Sequence, residues 1–224
     1  DVYGTMRQIE SIAELCAEVD HALQQVSLQL TNDGFVNRRY EGTLDGLPLR
    51  GALSLFMDTG SNIRLTSGQA TGYQLSLEYD NGLPTRWVMG HDIPVLLGAG
   101  LTRVANVTPN ALLRADDTAW AGRFLSPEVK PAFTHLAEVA TFAEQRPGVM
   151  QLQVRRFGDT TLPPLLPLLH AFAAVARASQ AAPAPRPSKA RLADNRALMM
   201  VLITLAVLAT FGTCLVLGFS LLPY

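Results

Sequence analysis

Residues 40–56 read YEGTLDGLPLRGALSLF, and this stretch decides the fold class. Asp45-Gly46 is a two-residue hairpin signal, because both central positions of the favoured turn need a positive φ. Residues 40–44 and 47–56 flank it as strands. Working outward, residues 62–65, 73–79 and 86–89 read as further strands, with Tyr73, Leu75, Leu77 and Tyr79 alternating along the middle one. Asp58-Thr59-Gly60, Ser67-Gly68 and Asp80-Asn81-Gly82 punctuate them, which predicts an antiparallel meander. Residues 104–107 and 111–113 are short strand candidates, and 149–157 alternates as a strand.

Helical periodicity brackets this sheet. Ile9, Ile12, Cys16, Val19, Leu23, Val26 and Leu30 recur three and four apart, predicting a helix over 6–30. Packing on its own domain is the favoured use of that seam. A helix-helix contact with a partner through Ile9, Ile12, Cys16, Val19, Leu23 and Val26 is the sharper one. Ser126-Pro127-Glu128 supplies a capping hydroxyl, a proline at the first helical position and a first-turn acid, so a helix is expected from there to about residue 145. A last helix, 165–178, has an apolar surface wide enough for deep burial or a place near a membrane. The class expected is therefore α+β, an antiparallel sheet with packed helices, followed by one C-terminal transmembrane helix.

That last element is residues 197–222, ALMMVLITLAVLATFGTCLVLGFSLL, without a charge. About 26 helical residues span roughly 39 Å, enough to cross a ~30 Å hydrocarbon core. Four segments result: an amphipathic helix at 1–34, an α+β domain at 35–178, an Ala/Pro-rich basic linker at 179–196 and the membrane helix. Arg177, Arg186, Lys189, Arg191 and Arg196 precede the span against one acid, Asp194, and no charge follows it. The positive-inside rule then puts the domain in the cytoplasm, on a bacterial inner membrane. Within the span, Ala206, Ala209, Thr210, Gly212, Thr213 and Gly218 are small enough to let another helix dock closely.

Chemistry is sparse. The chain has 224 residues and a formal net charge of −1, so it presents no nucleic-acid footprint. Its two cysteines, Cys16 and Cys214, offer neither a disulfide framework nor a thiol metal site. His21, His91, His135 and His170 lie far apart without metal spacing, and read as surface or helix-face residues. No cofactor or metal is expected. Arg38-Arg39 and Arg155-Arg156 read as solvated strand ends that could touch anionic headgroups.

The sharpest local string is Asp58-Thr59-Gly60-Ser61 after Leu55-Phe56-Met57. It resembles the catalytic signature of aspartic proteases, with Gly46-Leu47-Pro48-Leu49 before it and Val95-Leu96-Leu97-Gly98 resembling their later apolar-apolar-Gly element. The resemblance implies a retropepsin-like enzyme in which two carboxylates share a proton; with a single Asp-Thr-Gly, Asp58 would act in a homodimer. The competing reading is a hairpin turn in which Asp58 bonds nearby amides.

A second resemblance covers residues 35–178. Gly42-Thr43-Leu44-Asp45-Gly46-Leu47-Pro48, the strand Ala111-Leu112-Leu113-Arg114 and the helix start Phe124-Leu125-Ser126-Pro127-Glu128-Val129 are similar to an uncharacterised, membrane-associated bacterial α+β domain family. That likeness implies a non-catalytic domain. The expected function is a structural or accessory subunit of a bacterial membrane complex, respiratory or photosynthetic, with the domain bracing a partner and the lipid-embedded helix docking against it. The alternative is the membrane-tethered protease.

Overall fold

The computed structural model describes residues 7–8, 11–34, 37–57, 70–91, 93, 95–157 and 161–183. Residues 1–188 group as one compact unit and 189–224 as another. The tail at 197–222 and its small residues Ala206, Ala209, Thr210, Gly212, Thr213 and Gly218 lie outside the described residues. Among those described, no helix is long and apolar enough to cross a membrane.

In chain order the elements are β1 (Arg7–Gln8), α1 (Ile12–Gln25), β2 (Leu28–Asp33), β3 (Asn37–Leu44), β4 (Leu47–Met57), β5 (Ala70–Asp80) and β6 (Trp87–Gly90). Then come α2 (Val95–Gly98), β7 (Thr102–Asn106), β8 (Leu112–Ala115), α3 (Thr118–Phe124), α4 (Lys130–Val139), β9 (Phe142–Arg146), β10 (Val149–Phe157), β11 (Thr161–Leu162) and α5 (Leu165–Ala181). A large sheet runs β2-β3-β4-β5-β10-β9-β6-β8-β7, every neighbouring pair antiparallel. β1 and β11 form a separate short ladder.

The opening hairpin is as the sequence predicts. Asp45 takes φ +52° and Gly46 φ +81°, and Leu44 pairs with Leu47 around them. Tyr73, Leu75, Leu77 and Tyr79 all point into the core, each at most 3% exposed. The meander, however, stops at β5. Its next neighbour is β10, and β6 joins the sheet only through β9 and β8. The late hairpin β9–β10, turning on Gly148 at φ +91°, is inserted between the two halves.

Two helix expectations need correction. The first helix spans Ile12–Gln25, capped by the Ser11 hydroxyl accepting from the Glu14 amide. It ends because Ser27 turns to φ +63°, and Leu28–Asp33 then pairs with β3 rather than continuing the seam. Gly42 sits opposite Leu28, and a Cβ there would lie 2.1 Å from the Ser27 carbonyl oxygen; only glycine admits so close an approach. The second helix is also shorter. Asp117 caps α3, which the sequence reading missed, and α4 stops at Val139. Residues 142–146 contain Ala, Glu and Gln, all good helix formers, yet they pair on both sides with β6 and β10. Two ladders of hydrogen bonds outweigh a few tenths of a kcal/mol per residue of helix propensity.

One face of the sheet carries the core. Trp87 of β6 meets Phe124 at 6.0 Å and Phe133 at 5.7 Å, and Trp120 stacks on Phe124 at 4.8 Å, which fixes α3 and α4 on that face. α5 buries a wide face: Leu165, Leu168, Leu169, Phe172, Val175 and Ala176 form one stripe, and Ala171 and Ala173 widen it, while His170 and Arg177 lie on the exposed side. It packs against α4 and α1, so its wide apolar surface belongs to the protein core. Most alternating outer positions of β4, β5 and β10, such as Arg50, Ser54, Gln74, Ser76, Glu78, Gln151, Gln153 and Arg155, are polar, with Phe56 and Phe157 among the exceptions.

Candidate functional site

The predicted catalytic string, Asp58, Thr59 and Gly60, lies outside the described residues. Its surroundings are described. β4 ends at Met57 and β5 begins at Ala70, and these two residues pair in the ladder, so 58–69 joins neighbouring antiparallel strands. The Val95-Leu96-Leu97-Gly98 element is a single helical turn, α2, and not a strand. A Cβ on Gly98 would face Ile93 and Arg114, which places it beside β8, far along the sheet from the β4–β5 link.

The α1 seam faces inward: Cys16, Val19, Leu23 and Val26 are buried in the one core cluster, with Ile12 packed against it. The helix is held there by a polar clip. The Asp20 carboxylate accepts from Arg38 Nη2 at 2.7 Å and from the Tyr40 hydroxyl at 2.7 Å, and Arg38 reaches Asp33 at 2.8 Å. Arg38 is therefore no solvated strand end; only 15% of its side chain is exposed. Burial, then the hydrogen bond and charge of Asp20, push the Tyr40 phenol well above its ordinary range. Burial likewise raises the Cys16 thiol, so it is an inert core residue and not a nucleophile.

The histidines stay dispersed. His21 pairs with Gln25 at 2.7 Å, His91 meets the Ala137 carbonyl, and His170 lies 3.9 Å from Asp45. His135 takes the helix-face alternative and not the surface one: it is on α4, 3% exposed, and desolvation lowers its pKa. Among the described residues no three His, Cys, Asp or Glu side chains converge as metal ligands.

Two surface features remain that the sequence reading did not pick out. One is a pair of open depressions beside α1 and the start of α5. The first, about 360 Å³, is lined by Glu18, His21, Ala22, Gln25 and the run 162–167. The second, about 320 Å³, lies between Gln25, Thr43, Asp45, Leu166 and His170. The other is aromatic. Phe56, Gly72 and Phe157 share one row across β4, β5 and β10. The two rings stack at 4.7 Å over the glycine between them, with the Arg155 guanidinium 4.1 Å from the Phe157 ring centre. Phe157 is 62% exposed. The pattern Phe-x-x-x of one strand and Phe of another gave no sequence signal, because the row exists only once β5 brings a glycine between them.

Such an arrangement defines an α+β domain, a large antiparallel sheet with packed helices, with no assembled catalytic constellation among the described residues. No protein-family model matches the chain, and no curated protein matches it. The fold does match a solved structure, the crystal structure of the mycobacterial trehalose monomycolate transport factor A, TtfA. The likeness has a TM-score of 0.51 at 9% sequence identity and covers 78% of this chain and 98% of that one.

Proposed function

We propose that this chain is a non-catalytic, single-span accessory subunit of a bacterial membrane protein complex. Its α+β domain, on the cytoplasmic side, braces a partner protein. Residues 197–222 dock among the partner's helices through Ala206, Ala209, Thr210, Gly212, Thr213 and Gly218. The single observation that carries this reading is the uncharged tail behind a basic linker, because a segment of that length and composition has its lowest free energy in a bilayer. The fold likeness to a protein named as a transport factor supports a helper role and adds transport to the respiratory and photosynthetic hosts. Buried and half-buried polar groups of the described domain also act as fasteners: the Asp20–Arg38–Tyr40 clip joins helix to strand, and the Asn81–Gln145 amide pair, at 2.6 Å, joins β9 to the turn after β5.

The test is affinity purification of the full chain from its own membranes in mild detergent. Integral membrane proteins should co-purify in fixed proportion, and replacing Gly212 and Thr210 by leucine should release them. Recovery as a free monomer, or from the soluble fraction, would overturn the proposal.

A further inference from the structure

The far edge of the sheet carries a charge arrangement that the core and the tail do not explain. β7 is the terminal strand of the sheet, so one row of its backbone N–H and C=O groups faces outward without a ladder partner among the described residues. Arg103 of β7 lies directly opposite Arg114 of β8. Like charges in that position repel and destabilise a sheet. Arg103 turns to Asn106, donating at 2.6 Å, while the Nε–H of Arg114 is buried with no hydrogen-bond acceptor.

The acids that follow β8 in the sequence are already engaged. Asp116 accepts from the Thr85 hydroxyl and from the Arg86 and Asp117 amides, Asp117 caps α3, and Glu128 accepts from Ser126. Elsewhere Arg38, Arg50, Arg146 and Arg177 each meet a carboxylate; among the described residues Arg103 and Arg114 meet none, as is also true of Arg39, Arg123, Arg155 and Arg156, but only Arg103 and Arg114 face each other across a ladder. Charge on an edge strand by itself only guards against aggregation. Arg114 is one strand in, where no guard is needed, and it faces another arginine.

We infer that the β7 edge receives an extended acidic segment of a partner protein, added as a tenth strand. The incoming backbone pairs with β7, and its outward carboxylates sit against Arg103, whose positive field Arg114 reinforces from one strand further in. A strand supplies both things this edge lacks, backbone partners and negative charge. A lipid headgroup or a nucleic acid supplies only the second. This binding mode does not depend on the membrane anchor, so it stands or falls separately from the accessory-subunit reading.

The experiment uses the full chain in mild detergent and an alternating Glu-Val peptide as probe. Binding is read by fluorescence anisotropy and by amide hydrogen exchange. The peptide should bind, weaken as salt rises, and slow exchange at residues 102–106. The double variant R103E/R114E should weaken it at least about tenfold, while R39E, a charge reversal on β3, one strand in from the opposite edge, should leave it unchanged; unaltered circular dichroism for both variants verifies folding. Equal loss in R39E, or binding without protection of 102–106, overturns the inference. So does protection by phosphatidylserine added to the micelles when the peptide gives none.

Discussion

Replacing Asp20 by alanine tests whether the polar clip, rather than the apolar seam alone, holds α1 to the sheet. The substitution removes two hydrogen bonds from one carboxylate, to Arg38 and to Tyr40, each 2.7 Å long. Bonds to a charged group contribute about 1.5–3 kcal/mol each when both partners are dry. These are not fully dry: the Asp20 side chain is 23% exposed and that of Arg38 15%. The ion pair therefore falls between a surface pair, at about 0–1 kcal/mol, and a buried one whose rupture costs about 3–5. Arg38 keeps Asp33 at 2.8 Å, but Asp33 is 67% exposed and compensates weakly. The expected loss is about 2–3 kcal/mol, or a fall in melting temperature of roughly 4–12 °C for a domain of this size. Near-ultraviolet circular dichroism of the full chain in detergent reads it. Tyr40→Phe and the double variant close a cycle, in which the two losses should fail to add by about 1 kcal/mol because both act through one carboxylate. A loss under about 0.5 kcal/mol, or strict additivity, would refute the reasoning and leave the seam as the sole fastener.

Three further outcomes follow from the same coordinates. Gly42→Ala should destabilise by about 2 kcal/mol or more, since its Cβ would meet the backbone of Ser27 and Leu28, whereas Gly122→Ala, in α3 with open space around it, should stabilise by about 0.5–1 kcal/mol; the two thermal shifts must have opposite signs. His135 has a lowered pKa in the fold, so the unfolded chain binds its proton more readily, and stability present above the unfolded value near 6.5 is lost as pH falls through it. Melting curves between neutral and mildly acidic pH should show that loss, and His135→Leu should flatten it. Asp58→Ala should leave the full chain's behaviour toward unfolded protein substrates unchanged; peptide cleavage by the parent chain that this variant abolishes would replace the accessory role by a dimeric protease.

How much of this was legible depends on whether the signal was local. The Asp45-Gly46 turn, β5 and β10 could be read because each is set by its own residues: turn chemistry, or apolar alternation along one strand. The same holds for α5, whose apolar run has no competing pairing. β2 and β9 could not be read. Leu30 continues the period of α1, and only the positive φ at Ser27 breaks it. Phe142–Arg146 lies in a helix-friendly run and becomes a strand because β6 and β10 present two open edges to it. The surfaces were less legible still. Arg38 looked like a solvated strand end until Asp20, from a different element, was seen beside it, and Arg103 opposes Arg114 through a register that no spacing rule supplies.

The run of α5 bears on whether such a domain can act as a brace. The Tyr73 hydroxyl donates to the Thr161 carbonyl just before α5 begins, and the Tyr79 phenol is hydrogen-bonded to Gln180 near its end. Those tyrosines are six residues apart on β5, about 20 Å along the strand. The helix thus starts at the end of the sheet that holds Phe56 and Phe157 and finishes at the end that holds the Asp45-Gly46 turn. Its last turns do not fray freely, since Arg177 donates to Asp45 at 3.0 Å and Ser179 is buried. A force applied where the chain leaves α5 therefore enters the β3–β4 hairpin directly and passes through the four-stranded meander by its ladders, without first stretching a loose helix end. It also leaves the aromatic row at the opposite end clear of the exit. The described C-terminal turns of α5 are thus pinned to the β3–β4 hairpin.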